Sequence, residues 1–171
     1  MIPFSPEQEI KPMLSVRGAP VGTEVTLTIV GLPPLMNVRM GFGSFEQYES
    51  LGRSDADVYG VFSANLMVPY WGERDRVHFF FFNFADQRPR MFSEPFLVTA
   101  PDGTARITGT ITDQGTSCLA LDGPDDTRFA LEGPLGGWAP GTKVLVVGTV
   151  SDEAACGGEG LPILVREIHP A

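Results

Sequence analysis

Through most of this chain apolar and polar residues alternate with a period of two, the spacing at which a strand buries one face and wets the other. In "APVGTEVTLTIVGLPP", Pro20 and Gly22 supply turn geometry and Val25, Leu27 and Ile29 then alternate with Thr26 and Thr28. Val38, Met40 and Phe42 alternate with Arg39 and Gly41 until Gly43 ends the run. "SDADVYGVFSANLMVP" predicts a turn, then a strand with Phe62, Ala64, Leu66 and Val68 on one face, stopped by Pro69. "FSEPFLVTAP" predicts a closing strand with Phe96 and Val98 inward. No window keeps a 3.6-residue apolar period beyond about two turns, so any helix is short. About six to seven short strands with turn signals between them predict a β-sandwich over residues 4–100.

One run breaks the alternation. "VHFFFFNF", Val77 to Phe84, holds five of the chain's twelve Phe in eight residues. A spanning helix needs about 20 apolar residues, and His78 and Asn83 interrupt this one, so it is a strand. Phe80, Phe82 and Phe84 form one row, and Val77, Phe79 and Phe81 the other. Only one row fills a core. Phe80, Phe82 and Phe84 are assigned inward, because Asn83 continues the opposite row and is more easily left near water. Val77, Phe79 and Phe81 then form a candidate interface, covered by the second domain or by a second copy of the protein.

The second domain, residues 103–169, follows a short connection at Pro101, Asp102 and Gly103. Its predicted strands are Ala105 to Thr112, Cys118 to Leu121, Arg128 to Leu131, Lys143 to Val150 and Leu161 to Ile168. "DGPDD" makes the hairpin between the second and third, and "EGPLGGWAPG" is too rich in Gly and Pro for more than one helical turn. Five strands with the longest excursion between the third and fourth predict a small closed barrel of the OB kind.

Composition agrees with an all-β chain: 20 Gly and 15 Pro are spread along it, between runs rich in Val, Thr, Phe and Ile. The net charge of −9, with no cluster of Lys and Arg, disfavours nucleic acid as a partner. The opening "MIPFSPEQEI" lacks the basic and apolar regions of a signal peptide, so the protein either stays inside or has lost a leader. Two cysteines leave unpaired thiols and a bridge both open. Cys118 and Cys156 lie near predicted strand ends in one domain, which favours the bridge and an oxidising compartment. Closing that loop would contribute about 4 kcal/mol in the chain-entropy model.

Candidate chemistry is sparse. His78 and His169 are far from both cysteines, so no zinc spacing exists and no metal or cofactor is expected. His78, flanked by Phe, reads as a packed histidine, and His169 as a solvated one. Asp55 and Asp57 have calcium-loop spacing without the remaining ligands, so they read as turn carboxylates. Asp152, Glu153 and Glu159 read as solvated loop acids. No nucleophile elbow or phosphate-cradling loop occurs, so no enzyme is expected and no residue is assigned a catalytic role. The barrel strands that could bind oligonucleotides offer Leu119, Leu121, Arg128 and Phe129 beside Asp122, Asp125 and Asp126, weak for stacking on nucleic acid.

The stretches "PVGTEVTLTIVGLPP", "DADVYGVFSANLMVP" and "FLVT" resemble the immunoglobulin-like repeats of bacterial surface and secreted proteins, of the type shared with plexins and transcription factors. The aromatic strand departs from those repeats, which usually carry Thr or Ser on its outer face. "GTITDQGTSCLAL", "RFALEGPLGGWAPGTKVLVVGTV" and "AACGGEG" resemble a small bacterial family of OB-like domains with one Cys near the second strand and another after the fourth. That resemblance implies a Cys118–Cys156 pair and an exported location, whether periplasmic, cell-surface or secreted. The sequence therefore reads as an all-β, non-enzymatic structural or protein-interaction module of the bacterial envelope or exterior, with a protein partner or self-association and no membrane-spanning segment. The alternative is a glycan or small-ligand binder using Tyr70, Trp71 and Trp138. Exposure of both tryptophans in a concave site would favour the alternative, and packing of both would favour the module.

Overall fold

The computed structural model describes residues 10–44, 47–84, 91–112, 119–133, 136–151 and 160–171. Within them the chain is all-β. Its strands are β1 (Lys11–Leu14), β2 (Gly18–Ala19), β3 (Glu24–Val30), β4 (Asn37–Gly43), β5 (Tyr48–Asp55), β6 (Phe62–Met67) and β7 (Val77–Phe84). They continue as β8 (Met91–Phe92), β9 (Phe96–Val98), β10 (Thr104–Thr112), β11 (Leu119–Asp122), β12 (Arg128–Glu132), β13 (Lys143–Val150) and β14 (Leu161–Pro170). Among the described residues, no helix is long and apolar enough to cross a membrane.

The chain divides into two compact units. Met1–Val16, Gly22–Tyr70 and His78–Phe96 make the first, and Arg17–Val21, Trp71–Val77 and Leu97–Ala171 the second.

In the first unit β3 pairs antiparallel with β1 and with β6, while β4 pairs antiparallel with β7 on one side and β5 on the other. Alternation sets which side chains go in. Val25, Leu27 and Ile29 of β3, Val38 and Phe42 of β4, Phe62 of β6 and Phe80 of β7 are all fully buried. Phe42 meets Phe80 edge to face at 4.9 Å, and Phe96 closes the cluster at 5.3 Å from Phe80. Offset and T-shaped ring pairs add about 0.5–1.5 kcal/mol each to the burial term. His78 is buried and stacks on Phe42 at 5.0 Å with the planes 8° apart, so it is a core side chain.

Strand β5 has no counterpart in the alternation pattern. Seven of its eight residues are exposed, and its Ser54 and Asp55 fall in a stretch whose composition predicts a turn. It pairs with β4 along one side through a register shift at Met40/Gly41. A strand wet on both faces has no period-two signal to read.

In the second unit β10-β11-β12-β14-β13 close into a barrel. β12 and β14 run parallel, and the other pairings are antiparallel. Its interior takes Ile107 and Ile111 from β10, Leu121, Phe129 and Leu131 from β11 and β12, and Val144, Val146, Leu161 and Ile163 from β13 and β14. The "DGPDD" hairpin is a 3₁₀ turn at Pro124–Asp126, flanked by an ion pair between Arg128 Nε and Asp122 Oδ1 at 3.1 Å. β2 and β9 form a parallel pair, also grouped with this unit at Gly18↔Leu97 and Ala19↔Val98.

Candidate functional site

The two aromatic rows of β7 meet different surroundings. Phe80 and Phe82 lie in the core at 0% and 1% exposure; the side chain of Phe84 is outside the described set. On the other face Phe81 is only 2% exposed and Phe79 half-buried. Rings of its own unit lie against Phe81.

The residues of β4 opposite Phe81 and Phe79 are Gly41 and Gly43. With no side chains there, Tyr48 of β5, itself paired with Gly43, reaches across the strand. Its ring lies 5.2 Å from that of Phe81. A Cβ on Gly41 would stand 3.4 Å from Tyr48 Cδ2 and 2.8 Å from the Glu49 carbonyl oxygen. On the other side of β7, Phe92 of β8 pairs with Phe81 and meets its ring edge to face at 5.0 Å. Ser93 anchors that short strand: its N–H donates to the Phe80 carbonyl at 2.8 Å, and its Oγ accepts from Phe80 N–H at 3.0 Å. Phe79 completes the group at 6.4 Å from both Phe81 and Phe92.

The result is a row of rings, Tyr48, Phe81 and Phe92 with Phe79 beside them, laid across β5, β4, β7 and β8. Its middle is sealed and its ends are open, with Tyr48 at 38% and Phe92 at 41% exposure. Next to it along the strands lie Asn83, Arg39 and Arg53, in register across β7, β4 and β5. Compared with protein-family models, curated protein sequences and solved structures, the chain matches none. This face presents apolar ring edges and, next to them in register, the exposed Arg39 and Arg53.

The other candidate residues are scattered. Val77 is buried and groups with the second unit. Tyr70 is exposed and its ring lies over Gly22, whose Cβ would be 3.3 Å from Tyr70 Cε1. Trp71 is exposed and Trp138 half-buried, so the pair is neither exposed together nor packed together. Cys118, Cys156, Asp152, Glu153 and Glu159 lie outside the described residues. Phe129 and Leu121 face the barrel interior, and Leu119 and Arg128 are half-buried.

The acids have local work. Asp57 Oδ1 accepts from the N–H groups of Tyr59 at 2.8 Å and Val61 at 2.9 Å, and Asp55 Oδ1 accepts from Asn37 Nδ2 at 2.8 Å. Asp102 Oδ1 accepts from the Thr104 hydroxyl at 2.7 Å and the Thr104 N–H at 3.0 Å. Those bonds, the hydroxyl's first, hold its exposed carboxyl below the usual carboxylate range. His169 is exposed, with Nε2 3.5 Å from a Glu167 carboxylate oxygen. Among the described residues no group of three or more His, Cys, Asp and Glu could hold a metal ion.

Proposed function

We propose that this chain is a non-enzymatic protein-interaction module of the bacterial envelope or exterior, and that it binds through the aromatic row of its first unit. The observation that carries this is the pair of exposed ring edges, Tyr48 and Phe92, on a sheet face whose middle is already sealed. Side chains already packed against one another have less rotamer freedom to lose on contact.

On this reading the first unit is an immunoglobulin-like sandwich. The core shared by β3 and β6 with β4 and β7 supports it. The second unit is an OB-like barrel, which its strand order β10-β11-β12-β14-β13 supports. A Cys118–Cys156 bridge and an oxidising compartment belong to the same proposal. Nucleic acid is not the partner: the net charge of −9 repels phosphates, and Phe129 is turned into the barrel rather than towards a base.

The test is association. Wild-type protein, taken from the envelope in its native complex, should sediment as a larger species than Tyr48→Ser/Phe92→Ser, with both giving the same circular dichroism. Equal sedimentation of the two would overturn the proposal. A second reading, glycan binding, is favoured by the exposure of Tyr70 and Trp71. Titration with an oligosaccharide panel would then shift tryptophan fluorescence in the wild type and not in Trp71→Ala.

A further inference from the structure

The largest exposed apolar groups of the first unit are not all on the aromatic face. Tyr59 is 85% exposed, Leu35 64% and Val58 60%, and all three belong to two loops, residues 31–36 between β3 and β4 and residues 56–61 between β5 and β6. These loops are joined by backbone bonds. Leu32 N–H donates to Gly60 O at 3.1 Å, Leu35 N–H to Asp57 O at 3.0 Å, and Ala56 N–H to Met36 O at 2.8 Å.

Buried Leu32 and Ala56 anchor the pair from beneath. Gly60, at φ +78, passes so close to Leu32 that a Cβ would collide with its carbonyl oxygen. The Asp57 carboxylate holds the Tyr59 and Val61 amides, fixing the turn that projects Val58 and Tyr59. Leu35 sits at φ +61, a conformation L side chains seldom adopt, with its side chain turned to water. A strained residue that holds an apolar side chain in solvent, on loops bonded into one shape, is built for contact rather than for the core.

We infer that these paired loops form a second interaction tip, which enters an apolar pocket rimmed by Lys or Arg on a protein partner. Charge selects that occupant. Neither loop contains a Lys or Arg, and Asp55 and Asp57 are exposed beside the apolar trio. Lys11 of β1 stands opposite Val30, at the foot of the first loop, and Arg39 and Arg53 face each other two residues along the strands from Asn37 and Asp55, so Asp57 is the charge adjacent in sequence to Val58 and Tyr59. A second copy meeting tip to tip would oppose carboxylate with carboxylate, and anionic lipid headgroups would be repelled in the same way. This inference does not rest on the aromatic row. Tyr48 pairs with Gly43, Phe81 and Phe92 lie level with Gly41, and the tip adjoins Asn37, so at least four residues of β4, roughly 13 Å, separate the two surfaces.

The experiment is selection of random phage-displayed peptides on the whole chain, followed by affinity measurement with the enriched peptide. Enriched sequences should combine Lys or Arg with Leu, Phe or Trp. Leu35→Ser/Tyr59→Ser should lose at least about tenfold in affinity, as expected when two apolar anchors leave an interface. Tyr48→Ser/Phe92→Ser should bind as the wild type does, which separates failure of this inference from failure of the aromatic-row reading. Absence of enrichment, enriched peptides without basic residues, or binding unchanged in the tip variant would overturn it. So would binding to phosphatidylcholine vesicles, or a dimer, that the tip variant abolishes.

Discussion

Phe81→Ala separates a ring sealed within the chain from a ring left for solvent. An apolar side chain on the outer face of a sheet ordinarily costs within about 0.5 kcal/mol to truncate. Phe81 is different: it is 2% exposed and holds rings at 5.0, 5.2 and 6.4 Å from Phe92, Tyr48 and Phe79. Phe→Ala in such surroundings costs about 3–5 kcal/mol. The site lies one layer below solvent, and neighbouring rings can settle into the gap, so the loss belongs near the low end, about 3 kcal/mol. Phe92→Ala, in the same row but 41% exposed, should cost about 1 kcal/mol. Tyr48→Ala combined with Phe81→Ala should show a coupling of about 0.5–1.5 kcal/mol. Equilibrium urea unfolding followed by far-ultraviolet circular dichroism measures all three, with the first unit's transition resolved from the second's. A loss below about 1 kcal/mol for Phe81→Ala, or no coupling to Tyr48, would refute the reach of Tyr48 across Gly41.

Further outcomes follow from single residues. Leu35→Gly should stabilise the first unit by roughly 0.5–1 kcal/mol, because relief of the left-handed backbone exceeds the entropy that glycine adds to the unfolded chain; a lowered melting temperature would contradict this. Alkylation of native, unreduced protein should leave Cys118 and Cys156 unmodified by mass, and two labelled cysteines would sink both the bridge and the exported location. Thr104→Val should raise the Asp102 pKa towards the ordinary value of about 3.9. Because the folded-state pKa is lowered, the stability linked to it is present above that ordinary value and lost as pH falls through the lowered one, and an unchanged carboxyl titration by NMR would refute the assignment.

How far the sequence could be read depended on whether a strand has one wet face. β3, β6, β13 and the first half of β4 bury alternate residues, and their Val, Leu, Ile and Phe positions reveal them directly. β5 does not alternate because almost all of it is exposed, so the strand that carries Tyr48 escapes notice. The aromatic run shows two rows but not what covers the outer one. That cover depends on Gly41 and Gly43 of a strand some forty residues earlier, and a glycine at every outward position of "GFG" beside an aromatic partner strand is the signal that was present. Asp57 is legible as a turn carboxylate, whereas the meeting of Val58 and Tyr59 with Leu35 depends on backbone bonds between loops that composition does not record.

Photo-crosslinking tests most directly whether the aromatic row is a contact surface. A photoreactive phenylalanine analogue would replace Phe92 or Tyr48 in bacteria that make the protein, with exposed Glu24 of β3 as the control position. Irradiation should give a discrete adduct from positions 92 and 48, of one partner identified by mass spectrometry, with none from position 24. Adducts equally abundant from all three positions, or absent from 92 and 48, would contradict the account.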